Sequence, residues 1–136
     1  MLAISNHRYR VLVVDDNQDA AVSLASLLRM AGYKVELAFD GKKAIDIARR
    51  FEPDICILDI NMPCMNGYEL AQHIRELSLR HPPVLATMTA YDDCDHLDRA
   101  VHAGFDLHFT KSANPWDMME QLQGCVDEQE RRLCAQ

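Results

Sequence analysis

No two of the five cysteines form a Cys-x-x-Cys pair; Cys56, Cys64, Cys94, Cys125 and Cys134 are odd in number and scattered. That argues against a disulfide framework or a zinc site, and a reducing cytoplasm is the expected home. Clustered Lys and Arg are missing as well. The chain carries 14 basic against 21 acidic residues, a formal net charge of -7. A nucleic-acid backbone, which is held by grouped cations, is therefore not an expected partner. No apolar run approaches membrane-spanning length, and Met1 to Ile4 is too short for a signal-peptide core, so neither a membrane nor export is expected. Internal repeats and low-complexity segments are absent too. What remains is 136 residues, 49% hydrophobic, which is enough for one core. A single domain over 1–136 is expected, with its core at about 9–126 between short tails.

Within that core, the polar residues fall at the ends of apolar runs. Val11-Leu12-Val13-Val14 leads into Asp15-Asp16, and Ile55-Cys56-Ile57-Leu58 into Asp59. Val84-Leu85-Ala86-Thr87-Met88 leads into Thr89, and Leu107-His108-Phe109-Thr110 into Lys111. Continuous apolar runs of this length fit strands buried on both faces of a parallel sheet. Their carboxyl ends share one edge, and open parallel sheets bind ligands in the crevice outside it. Three carboxylates, a hydroxyl and an ammonium gathered there suit a divalent cation and a phosphoryl group. Three carboxylates repel one another unless a cation lies between them. Magnesium is the expected ion, since it takes a few carboxylates plus water and phosphate oxygens; manganese is an acceptable substitute.

Between the runs the periodicity is helical, and the alternation predicts an α/β fold. Asp16 or Asn17 caps a first helix with Ala20, Leu24, Leu27, Leu28 and Ala31 on its apolar face, ended by Gly32. Lys34-Val35-Glu36-Leu37-Ala38 alternates polar and apolar, which predicts an edge strand. A second helix is predicted from about Gly41 to Arg50 with Ala44, Ile45 and Ala48 inward. Asn66-Gly67 opens a third, carrying Leu70, Ile74 and Leu77, and a fourth lies between Asp92-Asp93 and Gly104. Asn114-Pro115 starts a fifth, with Trp116, Met119, Leu122 and Val126 as its apolar stripe and a charged tail that lengthens it.

Five segments in order carry a resemblance. They are Val-Val-Asp-Asp at 13–16, Asp-Ile-Asn-Met-Pro-Cys-Met-Asn-Gly at 59–67, Met-Thr-Ala at 88–90, Gly-Phe-Asp at 104–106 and Phe-Thr-Lys at 109–111. At this spacing the chain resembles the receiver domain of two-component response regulators over nearly its whole length. The resemblance implies a flavodoxin-like, doubly wound sheet of five parallel strands in the order 2-1-3-4-5, flanked by five helices. It implies that Asp59 is the phosphoacceptor, that Asp16, Asp59 and the backbone carbonyl of Asn61 bind magnesium, and that Asp15 holds it through water. Lys111 and the Thr89 hydroxyl would engage the phosphoryl oxygens, and the His108 ring would follow Thr89 as a switch. Asn61 and Tyr91, two residues beyond Asp59 and Thr89, would tune the lifetime of the acyl phosphate. A histidine kinase or phosphotransfer protein would be the donor and a downstream protein the effector. The chain would catalyse only its own phosphorylation and dephosphorylation.

Each residue also has a plainer role to set against this one. Asp15 and Asp16 suit helix capping, Thr89 a strand, Lys111 a wet surface and His108 a half-buried ring. The Asp92, Asp93, Asp95 and Asp98 cluster suits a helix N-terminus, and Cys64 an inert thiol. Two positions depart from the family pattern: Ser112 stands where proline is usual, and His108 where Tyr or Phe is. A cis bond costs about 0.5–1 kcal/mol before proline but about 2.5–4 before serine, so a trans Lys111–Ser112 bond is expected. The alternatives to a stand-alone receiver are a receiver module of a hybrid kinase or phosphorelay, and a magnesium-dependent phosphohydrolase with an Asp nucleophile. The latter class carries Asp-x-Asp at its first strand, which Asp15-Asp16-Asn17 lacks.

Overall fold

The structure is a computed structural model that describes residues 9–60, 67–77, 82–89, 105–110 and 114–134. Its strands are β1 (Arg10–Val14), β2 (Lys34–Ala38), β3 (Ile55–Asp59), β4 (Val84–Thr89) and β5 (Leu107–Thr110). They form one parallel sheet in the order β2-β1-β3-β4-β5. Four helices lie among the described residues: α1 (Gln18–Met30), α2 (Gly41–Phe51), α3 (Gly67–Glu76) and a C-terminal helix (Pro115–Cys134). The helix expected between Asp92 and Gly104 lies outside the described residues.

Successive strand side chains point to opposite faces, so each apolar run feeds two cores. Val11, Val13, Ile55, Ile57, Ala86 and Phe109 pack toward α1 and the C-terminal helix. Leu12, Val14, Cys56, Leu58 and Leu85 pack toward α2 and α3. The Cys56 thiol is fully enclosed, and burial pushes its pKa up to about 12. It is an inert core group, not a nucleophile.

Local signals set the helix ends. Asn17 caps α1, its side chain accepting from Ala20 N at 3.2 Å, and Gly32 leaves the helix at φ +102°. Asp40 caps α2 through Lys43 N at 2.8 Å, and Asn114 accepts from Trp116 N at 2.8 Å. The C-terminal helix runs on to Cys134, as its charged tail suggests.

Two apolar faces differ from expectation. In α1 the fully buried residues are Ala21, Ala25 and Leu28, while Ala20, Leu24 and Leu27 are only half-buried and Ala31 is exposed. The face is turned by about a quarter of a helical turn, so the Leu24 edge looks toward the C-terminal helix instead of straight down onto the sheet. In the C-terminal helix Met118, Met119, Leu122 and Val126 are buried, but Trp116 is 63% exposed. The stripe centres between Leu122 and Val126, leaving Trp116 about 100° off its axis. Far from the strand ends, the same helix is tied down by polar bonds. Tyr9 donates to Asp127 at 2.7 Å, Gln123 donates to Asp127 at 3.0 Å, and Tyr33 donates to Gln123 at 2.7 Å.

Candidate functional site

Parallel pairing brings the carboxyl ends of β1 and β3 side by side. Val14 is paired with Leu58, so Asp15 and Asp59 come next on adjacent strands. On a continuous strand Asp15 and Asp16 would face opposite sides, but the chain bends at Asp16 and both reach one place. Ligand atoms of Asp15, Asp16 and Asp59 lie within 4.8 Å of one another. Asp59 is 4% exposed and Asp15 7%, while Asp16 is open to solvent. Asp15 accepts a hydrogen bond from Asn17 N at 3.0 Å, and Asn17 caps α1, so neither aspartate is needed for the cap.

The donor set fits a hard divalent cation: it is all oxygen, few in number and open on one side. Just beneath it, between Ala20 and Leu24 of α1, Ile57 and Met88 of the sheet, and Met118, lies an apolar cavity of about 240 Å³ bordered by Asp15 and Asp59. Low-polarity surroundings on one side strengthen every electrostatic interaction the two buried carboxylates make.

On the other side α3 begins directly against the backbone of Asp59. Gly67 N donates to Ile60 O at 3.1 Å. A Cβ at Gly67 would stand 2.8 Å from the Asp59 carbonyl oxygen and 2.9 Å from Ile60 Cα. Only glycine permits this approach. Ile60 and Tyr68 are buried there, and Tyr68 meets Phe105 edge to face at 6.3 Å. Nothing in the spacing of the sequence marked this contact or the cavity.

Thr89 ends β4, one step beyond Met88, which is paired with Asp59. His108 sits on β5 opposite Thr87, on the face that carries Leu85. Of the expected site residues, the structure thus brings Asp15, Asp16 and Asp59 together and places Thr89 and His108 on the neighbouring strands. Asn61, Tyr91, Lys111 and the Lys111–Ser112 bond lie outside the described residues, as do Cys64 and the Asp92 cluster. Among the described residues no helix is long and apolar enough to cross a membrane.

A five-stranded parallel sheet in this order, with an acidic cluster at its carboxyl edge, defines a class that the comparisons make specific. The chain belongs to the response regulator receiver domain family, whose model matches residues 11–123. It is 34% identical over 133 residues to the sensor histidine kinase RcsC of Salmonella typhimurium, covering 98% of this chain and 14% of that protein. It is 35% identical over 102 residues to the transcriptional regulatory protein PrrA of Mycobacterium tuberculosis, covering 75% of this chain and 43% of that protein. The chain therefore spans less than half the length of each of these relatives. A CheY-like receiver domain protein of Methanospirillum hungatei superposes with a TM-score of 0.84 at 28% identity, over 93% of this chain and 99% of that one. The chemotaxis protein CheY4 of Vibrio cholerae gives 0.81 at 29% identity, over 86% and 98%.

Proposed function

We propose that the chain takes a phosphoryl group onto Asp59 from the phosphohistidine of a histidine kinase or phosphotransfer protein, and signals by reshaping a surface that a downstream protein reads. One observation carries this reading: Asp59 ends the central strand almost fully buried, with the ligand atoms of Asp15 and Asp16 within 4.8 Å. Asp16, Asp59 and the backbone carbonyl of Asn61 would hold magnesium, or manganese, directly, and Asp15 would hold it through water. When bound, the ion supplies positive charge against the carboxylates and the phosphoryl oxygens.

In the transfer, a carboxylate oxygen of Asp59 attacks phosphorus, the P–N bond to the imidazole breaks and its electron pair stays on the ring nitrogen. The product is an acyl phosphate. Lys111, next after β5, would pair with one phosphoryl oxygen, and the Thr89 hydroxyl would donate to another. Thr89 moving toward the phosphoryl group would make room for the His108 ring to turn inward, shifting the population of surface states. The cytoplasm, where soluble kinase modules and their partners meet, is the proposed setting. The match of 98% of this chain to 14% of a sensor histidine kinase also supports a second reading, in which the domain works within or beside a larger kinase.

Incubation with acetyl phosphate and magnesium, followed by intact-mass measurement, tests the proposal. One phosphoryl adduct per chain is expected, absent in Asp59→Asn and weaker in Asp16→Asn. An unchanged adduct in Asp59→Asn would overturn it. Many turnovers on a phosphate ester would instead indicate a hydrolase.

A further inference from the structure

Thr87 is a buried polar residue that the reading above does not use. It is fully enclosed in β4, and its Oγ1 has no hydrogen-bond partner among the described residues. Burying a hydroxyl without a partner is costly, and native cores rarely leave one so. Its cross-strand partner in the sheet register is His108. Phe109, next along β5, packs toward the C-terminal helix, whereas Leu85, two residues before Thr87, packs toward α2 and α3. Alternation therefore puts Thr87 and His108 on the same face of the sheet. The nitrogens of the His108 ring are also shut off from solvent. A hydroxyl can accept from an imidazole N–H, and the neutral ring always carries one. A phenyl ring at position 108 would have no such donor.

We propose that Thr87 is a positioning residue, its Oγ1 accepting a hydrogen bond from the His108 imidazole when phosphorylation reorients the ring toward it within the interior. Among the described residues the unphosphorylated state leaves this hydroxyl unsatisfied, and the reoriented ring satisfies it. The active surface is favoured by that difference. This inference rests on the phosphoacceptor reading of Asp59 but concerns a residue two positions before Thr89, one that touches neither metal nor phosphoryl group.

The test uses the full chain labelled with ¹⁵N at histidine, in three forms: wild type, Thr87→Val and Thr87→Ser. Valine keeps the shape of threonine and removes only the hydroxyl; serine restores it. After saturation with acetyl phosphate and magnesium, phosphoryl uptake is read by intact mass and the His108 ring N–H by its nitrogen-proton correlation. Uptake is expected to be equal in all three. A ring N–H protected from solvent exchange is expected in wild type and Thr87→Ser, with protection about five- to tenfold weaker in Thr87→Val. Full protection in Thr87→Val, or none in wild type that is fully phosphorylated, overturns the role of Thr87 alone. Failure of wild type to take up any phosphoryl group overturns the reading of Asp59 and this inference with it.

Discussion

Replacing Gly67 by alanine should damage both stability and phosphorylation, although the same change usually helps a helix. The added methyl would lie 2.8 Å from the Asp59 carbonyl oxygen and 2.9 Å from Ile60 Cα, and ordinary contact begins at 3.4 Å. Something must move by about 0.6 Å. Both obstacles are backbone, so no side chain can swing aside. Overpacking of this kind costs about 1–3 kcal/mol. Stretching the bond from Gly67 N to Ile60 O, 3.1 Å in the native chain, adds up to about 1 kcal/mol. The better helix propensity of alanine returns at most about 1 kcal/mol. The net loss is about 1–3 kcal/mol, or roughly 3–10 °C in Tm for a domain of this size. Because the displaced backbone belongs to Asp59, phosphoryl uptake from acetyl phosphate should slow by about tenfold or more. Gly124→Ala is the internal comparison. That glycine is exposed in the C-terminal helix with nothing within 4 Å of the new methyl, so a gain of about 0.5–1 kcal/mol is expected. Thermal unfolding of the two variants should move in opposite directions. If Gly67→Ala melts at or above the native temperature with unchanged phosphorylation, the close approach of α3 to Asp59 is refuted.

Three further expectations follow from the site and the core. Magnesium at about ten times a millimolar Kd should raise the unfolding free energy by about 1.4 kcal/mol, and chelation should reverse this; Asp16→Asn should abolish the increment while stabilising the metal-free protein, which denaturant titration with and without the ion will show. Burial, and secondarily the Asp127 carboxylate, hold the Tyr33 phenol above its ordinary value of 10.0. The stability it contributes is therefore complete below that pH and is lost as pH rises through the folded value, so alkaline titration of the denaturation midpoint should show a fall that Tyr33→Phe blunts. At neutral pH the same variant should cost about 1 kcal/mol through loss of the 2.7 Å bond to Gln123. If Tyr91 obstructs water approaching the acyl phosphate, Tyr91→Ala should shorten its lifetime severalfold from the order of minutes; equal phosphate-release rates in the two proteins would show that the ring points elsewhere.

Much of the architecture was legible because it depends on period and punctuation. Three apolar runs gave the buried strands β1, β3 and β4, and the more polar Lys34–Ala38 gave one edge strand; the fourth run, Leu107–Thr110, gave β5, which forms the other edge and has Leu107 and His108 only half-buried, because no strand pairs beyond it. Asn17, Gly32 and Asn114 marked helix ends where the structure has them. The carboxylate triad was legible for the same reason, since it follows from which residues end the strands. Facing was harder. Both the expected and the observed stripes of α1 are apolar, and only its packing against the sheet and the C-terminal helix selects Ala21, Ala25 and Leu28. Trp116 misled because a large apolar ring in the first helical turn suggests burial, yet the buried stripe of Met118, Met119, Leu122 and Val126 lies about 100° away around the helix. Gly67 and Thr87 depend on distances and register between segments far apart in the chain, which no local pattern encodes.

Asp15 and Asp59 become neighbours only through the pairing of β1 with β3, and Thr89 joins them only through β4. No continuous fragment shorter than about half the chain contains all three strands, and every contact among them closes a long loop. The entropy of closing such loops must be met before the pairings repay it, which makes them slow to form. Phosphorylation competence should therefore appear in refolding experiments as an all-or-none property, lagging helix formation. It would serve as a chemical clock for completion of the sheet, and a nascent or proteolysed chain could not be loaded before the fold is whole.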